Sequence, residues 1–212
     1  MDIPGRGRRL CWYLLYHVSN PDPKEPHTFH PLFELVTHDG ERRASVDQIL
    51  PTVQKAIQQV EDPTGVLDLQ NSVTIENTPL PPTKPESTAR YVTGVAIWDD
   101  ISPETNQFSI FVTGLSNGWS VDDKEVIRRK TLQLNFRRLG DRNNRDARDI
   151  QFIQPEMWVY RALTARGPEA PKPAEAKPEP KKEKEKEAAK PSSQDKPVLP
   201  MTTTSVRGSN GA

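Results

Sequence analysis

The chain has 212 residues, 33% of them apolar, with 29 basic against 29 acidic side chains and one cysteine. A neutral balance gives no reason to expect a nucleic-acid partner, and a lone cysteine excludes an intrachain disulfide or a cysteine-rich zinc site. No run approaches the ~18 apolar residues of a membrane-spanning helix, so no membrane span is expected.

The apolar deficit is concentrated in residues 166–212, which are rich in Pro, Lys, Glu and Ala. Such composition buries too little apolar surface to offset chain entropy, so 166–212 is expected to be a disordered tail. Residues 10–165 form the expected domain, preceded by a short lead over 1–9. About 155 residues can bury around 70% of their unfolded surface, enough for one core.

The positive start, with Arg6, Arg8 and Arg9, is followed by an apolar run from Leu10 to Val18. Tyr13, Tyr16 and His17 interrupt that run and no small-residue cleavage site follows, so it reads as a strand and not a signal peptide. Both of its faces are apolar, which suits a central strand. Leu32–Thr37 is the next expected strand, closed by Asp39-Gly40 in a two-residue hairpin turn with the return strand starting near Glu41.

Ile49, Val53, Ile57 and Val60 recur at helical spacing, with Pro51 in the first turn, Asp47 as N-cap and Asp62-Pro63 as the stop. This helix is expected to lie across an end or edge of the sheets. A short strand is expected within Val66–Ile75, and a loop over Asn77–Thr88, where Pro79, Pro81, Pro82 and Pro85 forbid mid-sheet pairing. Strands follow over Tyr91–Trp98, with Gly94 at a bulge, then Phe108–Thr113 and Thr131–Arg137. Ile150–Ile153 and Trp158–Leu163 close the set, split by Pro155. Many short alternating strands without a βαβ rhythm point to a mainly β, antiparallel sandwich with one short amphipathic helix.

Candidate chemistry is sparse. His17, His27, His30 and His38 fall in one early stretch, but their spacing matches no compact metal site, and surface histidines are the simpler reading. Asp99-Asp100 and Asp122-Asp123 sit beside turn residues, where aspartates serve local hydrogen bonds more often than catalysis. Cys11 lies mid-strand among aromatics, where a thiol is usually inert. No nucleophile elbow or phosphate-cradling glycine loop is present, so no catalytic residue, cofactor or metal is assigned.

Two features suit a partner. Arg128, Arg129, Arg137, Arg138 and Arg142 make a dense basic stretch, with salt bridges to nearby aspartates as the competing reading. Trp119, in the turn-like Ser116-Asn-Gly-Trp-Ser, is a plausible loop anchor, with packing beneath the loop as its competitor.

Three groups of segments, taken together, carry a resemblance. They are Trp12-Tyr-Leu-Leu-Tyr-His-Val-Ser-Asn with Phe33-Glu-Leu-Val-Thr-His-Asp-Gly; Gly94-Val-Ala-Ile-Trp with Phe108-Ser-Ile-Phe-Val-Thr-Gly-Leu-Ser; and Leu132-Gln-Leu-Asn-Phe-Arg-Arg-Leu-Gly-Asp with Trp158-Val-Tyr-Arg. They resemble an uncharacterised family of bacterial proteins of the planctomycete type. More loosely, their order is similar to immunoglobulin-like, telokin-like domains of exported bacterial proteins. The resemblance spans most of residues 10–163, implies a sandwich and often export, and brings no catalytic residues. Export would place Met1 at a misplaced start with a signal upstream; an intact start would place the chain in the cytoplasm.

The leading expectation is therefore a non-catalytic binding or scaffold module of the cell envelope. The alternative is a cytoplasmic interaction protein whose arginine stretch meets an acidic partner or RNA. Partner identity and oligomeric state are not encoded in any motif.

Overall fold

A computed structural model describes residues 2–40, 42–84, 86–122, 125–139, 150–162 and 201–209. Its strands are β1 (Asp2–Ile3), β2 (Gly7–Arg8), β3 (Cys11–Ser19), β4 (Leu32–Thr37), β5 (Ala44–Val46), β6 (Tyr91–Trp98), β7 (Gln107–Thr113), β8 (Trp119–Val121), β9 (Ile127–Arg138), β10 (Ile150–Arg161) and β11 (Met201–Ser209). One helix, α1 (Pro51–Glu61), and a 3-10 turn at Ile75–Asn77 complete the described elements. All strand pairings are antiparallel.

The large sheet runs β10-β9-β7-β4-β5, with β8 paired to β9, and the small sheet runs β11-β3-β6. The alternation of β3 explains how they stack. Trp12, Leu14, Tyr16 and Val18 enter one core cluster with Phe33, Leu35, Phe108, Ile110, Leu134 and Phe136 of the large sheet. Cys11, Tyr13 and Leu15 point the opposite way and join Val53 and Ile57 of α1. The small sheet is thus the middle of three layers, which is why β3 is apolar on both faces.

Helix α1 covers the outer face of the small sheet, and not an end or edge as its sequence suggested. Val53 and Ile57, one turn apart, are its buried residues, whereas Ile49 and Val60 are exposed. Full burial of each such side chain contributes roughly 1.5–3 kcal/mol. Leu50, and not Asp47, occupies the N-cap, with Pro51 supplying the first-turn residue that needs no donor. Asp47 instead accepts a hydrogen bond from the Ser72 hydroxyl. Tyr13 donates to Glu61 Oε1 at 2.6 Å, tying the helix end to β3.

Several local expectations change. Val66–Ile75 holds no strand; Gln70 makes an isolated bridge to Gly94. Gly94 is no bulge but pairs in regular register with Tyr16, whose ring occupies the space a side chain would need. The hairpin after β4 is longer than two residues, since β5 starts at Ala44, though Gly40 does take a positive φ of 69°. Pro155 does not end a strand: β10 runs through it with a register shift between Ile153 and Met157. Within the expected lead, Asp2–Ile3 and Gly7–Arg8 form the β1–β2 hairpin, with Ile3 buried in the second cluster and Arg6 paired to Asp99 at 2.7 Å.

Of the expected tail, 166–200 and 210–212 lie outside the described residues. Met201–Ser209 forms β11, antiparallel to β3. Thr202, Thr203, Thr204 and Val206 are β-branched, a strand-favouring run that the averaged tail composition hides.

Candidate functional site

Strand β9 is twelve residues long, and only its second half lies beside β7. Its first half extends past the end of β7 and pairs with β8 on one side and β10 on the other. This β8–β9–β10 lip carries exposed apolar side chains on both faces. Trp119, Val121 and Ile127 are 65%, 51% and 64% exposed. Cross-strand register pairs Trp119 with Arg129 and Val121 with Ile127, so these four share one face. The opposite face carries Trp158 and Tyr160, with the Lys130 ammonium 5.3 Å from the Trp158 ring centre.

The hairpin that presents Trp119 is held by Asp122. Its carboxylate accepts from Val126 N at 3.0 Å and from Arg128 Nε and Nη2 at 3.0 and 2.7 Å. Glu125 takes a positive φ of 60° inside that turn. Arg128 is thus engaged within the hairpin. Below the turn, Lys130 N donates to Gly118 O at 2.8 Å, fixing the approach to Trp119.

The arginines of the basic stretch do not form one patch. Alternation along β9 sends Arg128 and Arg138 to the core-facing side and Arg129 and Arg137 to the other. Arg138 is buried, with its guanidinium 5.8 Å from the Trp12 ring centre and Nη2 donating to Asn106 Oδ1 at 3.2 Å. Arg129 and Arg137 are exposed on one face but eight positions apart, which on a strand is about 27 Å. Arg142 lies outside the described residues. Arg138→Ala should therefore lower stability, read as a reduced urea midpoint, while Arg137→Ala leaves that midpoint unchanged.

Beside the lip, on the same sheet face, Arg161 pairs with Glu34 at 2.6 Å and stacks 3.6 Å from the Phe111 ring centre. Further along, His38 Nε2 lies 2.6 Å from Ser109 Oγ. Ser109 donates to Asn135 Oδ1 at 2.6 Å, which also accepts from Gln133 at 2.8 Å. With the Ser109 proton directed to Asn135, the His38 tautomer that fits this network carries its hydrogen on Nε2 and donates to Ser109 Oγ. Ser109 is also fully buried, out of reach of a substrate.

Partial burial, reinforced by the Arg42 charge, holds His38 below its ordinary 6.5, and burial does the same at His17. Lowered folded values mean that the unfolded chain takes up these protons first as pH falls. The stability these neutral imidazoles carry is complete above 6.5 and is lost progressively below it. Urea midpoints should therefore fall between about pH 7.5 and about pH 5.5, and His38→Gln should reduce that fall.

A cavity of about 500 Å³ lies at the other end of the large sheet, lined by Asp39, Arg43, Asp100, Ser102, Glu104 and Asn106 among others. One oxygen of each aspartate is engaged: Asp100 Oδ2 accepts from Arg43 at 3.1 Å and Ser45 at 2.7 Å, and Asp39 Oδ2 accepts from Asn106 N, whereas Asp39 Oδ1 and Asp100 Oδ1 are buried without a hydrogen-bond partner. Asp99 turns away to Arg6. The four histidines find four different neighbours, Thr93, Asp22, Glu76 and Ser109 for His17, His27, His30 and His38 respectively. Among the described residues no group of three His, Cys, Asp or Glu side chains is placed to hold a metal ion. Cys11 is buried, and burial raises its thiol pKa.

Sequence reasoning singled out Trp119 but missed Val121, Ile127, Trp158 and Tyr160 as its exposed companions. Alternation of Trp119 with Val121 and of Ile127 with Arg129, around Asp122, was the available signal for a hairpin. Comparison with family models, curated proteins and solved structures finds no match to this chain.

Proposed function

We propose that the chain is a non-catalytic binding or scaffold module that engages a protein partner through the β8–β9–β10 lip. The observation that carries this reading is Trp119, 65% exposed on a hairpin braced by Asp122 and Arg128, beside Val121 and Ile127. Contiguous exposed apolar surface marks interaction sites, and a rigid tryptophan with a neighbouring arginine is the composition of binding hot spots. The partner surface that fits is an apolar pocket with an acidic rim facing Arg129. Assignment to the cell envelope, and to an immunoglobulin-like sandwich, rests on the resemblance to exported bacterial domains.

Trp119→Ala should weaken partner binding by about 2 kcal/mol or more, roughly 30-fold, because hot-spot tryptophans carry that much. The same substitution removes little buried area, so the urea midpoint should stay unchanged. Calorimetric titration of the two forms with the isolated partner reads the affinity, and urea unfolding of each form alone reads the midpoint. Equal affinities would overturn the assignment of the lip. A polyanion partner for the arginines is the weaker reading, since Arg129 and Arg137 stand about 27 Å apart.

A further inference from the structure

Strand β3 has Cys11 to Tyr16 and Val18 buried, so its edge amides and carbonyls need partners. At the far side of the small sheet, nearby loops serve β6. Gln48 N donates to Ile97 O at 2.8 Å, Gln70 N to Thr93 O at 3.0 Å, and Val95 N to Gln70 O at 2.8 Å. The β3 edge is filled differently, by β11, in register from Met201 opposite Val18 to Ser209 opposite Cys11, with one shift between Thr203 and Ser205. Among the described strands, β11 pairs with β3 alone.

Residues 163–200 separate β11 from the rest of the described chain. Their contour, at ~3.3 Å per residue, reaches on the order of 100 Å, so covalent connection does not oblige β11 to fill the groove of its own molecule. A second copy offers the same nine-residue segment with the same main-chain donors and acceptors. Pairing within a molecule and between molecules then differ chiefly in effective concentration, which tethers hold near the millimolar range.

From these observations we propose that the β3 edge is a strand-accepting groove through which the chain self-associates, Met201–Ser209 of one copy completing the small sheet of another. Exchange of an identical element is a low-cost route to a dimer. The donor segment suits the role, with β-branched residues at 202–204 and 206, no proline within the strand and Pro200 immediately before it. This groove lies on the small sheet, apart from the Trp119 lip, and its test does not depend on the binding reading.

The native thiol provides the probe. Cys11 and Ser209 are register partners, and Cα spacings across paired strands match those of a disulfide. Ser209→Cys in the full chain, oxidised with diamide at alkaline pH because burial raises the Cys11 thiol, should give disulfide-linked dimers. Their ratio to the internally bridged monomer should rise about tenfold between ~10 and ~100 µM protein. Gly208→Cys, whose register partner is Trp12, should form far less of either species. Only internally bridged monomer at every concentration would overturn the exchange, and equal yields from the two variants would overturn the pairing. Light scattering on the unsubstituted chain gives a second readout. A mass that rises as the protein approaches millimolar concentration, and stops rising in Val206→Pro, supports exchange; a monomer mass that stays constant up to that range, or a dimer indifferent to Val206→Pro, overturns it.

Discussion

Replacing Trp98 with alanine is expected to cost about 3–5 kcal/mol. Trp98 is fully buried in the cluster between the two sheets, opposite Trp12 in the β3–β6 register. Its Nε1 donates to Ser45 O at 3.0 Å, so one side chain ties β6 of the small sheet to β5 of the large one. Truncation removes an indole from close-packed surroundings and leaves the Ser45 carbonyl without its buried donor, two costs that add. Urea unfolding should show a lower midpoint. Trp98→Phe should recover part of the packing loss and none of the hydrogen bond. A loss under 1 kcal/mol would mean that the two sheets do not meet there.

The second large effect belongs to Gly94. A methyl group at this position would overlap the Tyr16 ring, which is itself fully buried against Phe29 and Phe33. Overpacking of this kind costs about 1–3 kcal/mol. Gly94→Ala should therefore destabilise although alanine ordinarily favours the folded chain over glycine. Much of that cost should vanish in a Tyr16→Leu background, where the aromatic tip is gone. Such coupling, measured by a double-mutant cycle, isolates the ring as the cause. Additive effects would place the strain elsewhere.

The fold was legible where alternation and length reinforced one another. Leu32–Thr37 and Tyr91–Trp98 were bounded correctly because turn residues flank each, and the two apolar faces of Leu10–Val18 pointed to a central strand, the place β3 takes between β11 and β6. Topology was not legible: nothing local reveals that the helix closes the second face of that strand. Periodicity also overreached, since Ile49 and Val60 continue the helical spacing yet face water. At Gly94 the sequence showed a glycine in a strand but not the Tyr16 ring lying over it, a contact made across the pair.

The candidate site was half legible. Trp119 stood out as an aromatic in a turn, while its neighbours did not, because β9 begins at Ile127, four residues before the clean alternation that starts at Thr131. The basic stretch was conspicuous in sequence, but a strand divides consecutive residues between its two faces. That parity sends Arg138 inward to Trp12, and the turn aspartate engages Arg128. Composition likewise blurred the C-terminal segment, where a short β-branched run sits behind a long Pro, Lys and Glu stretch.

The most direct test of the binding lip is site-specific photo-crosslinking in the cells that make the protein. A benzophenone amino acid would replace Val121, beside the retained Trp119, and, in a control, Val66, which is 81% exposed and far from the lip in sequence. Binding through the lip gives a discrete adduct from position 121, absent from position 66, that weakens when Arg129 is also changed to Glu. No adduct at 121, or the same adducts at both positions, would contradict it.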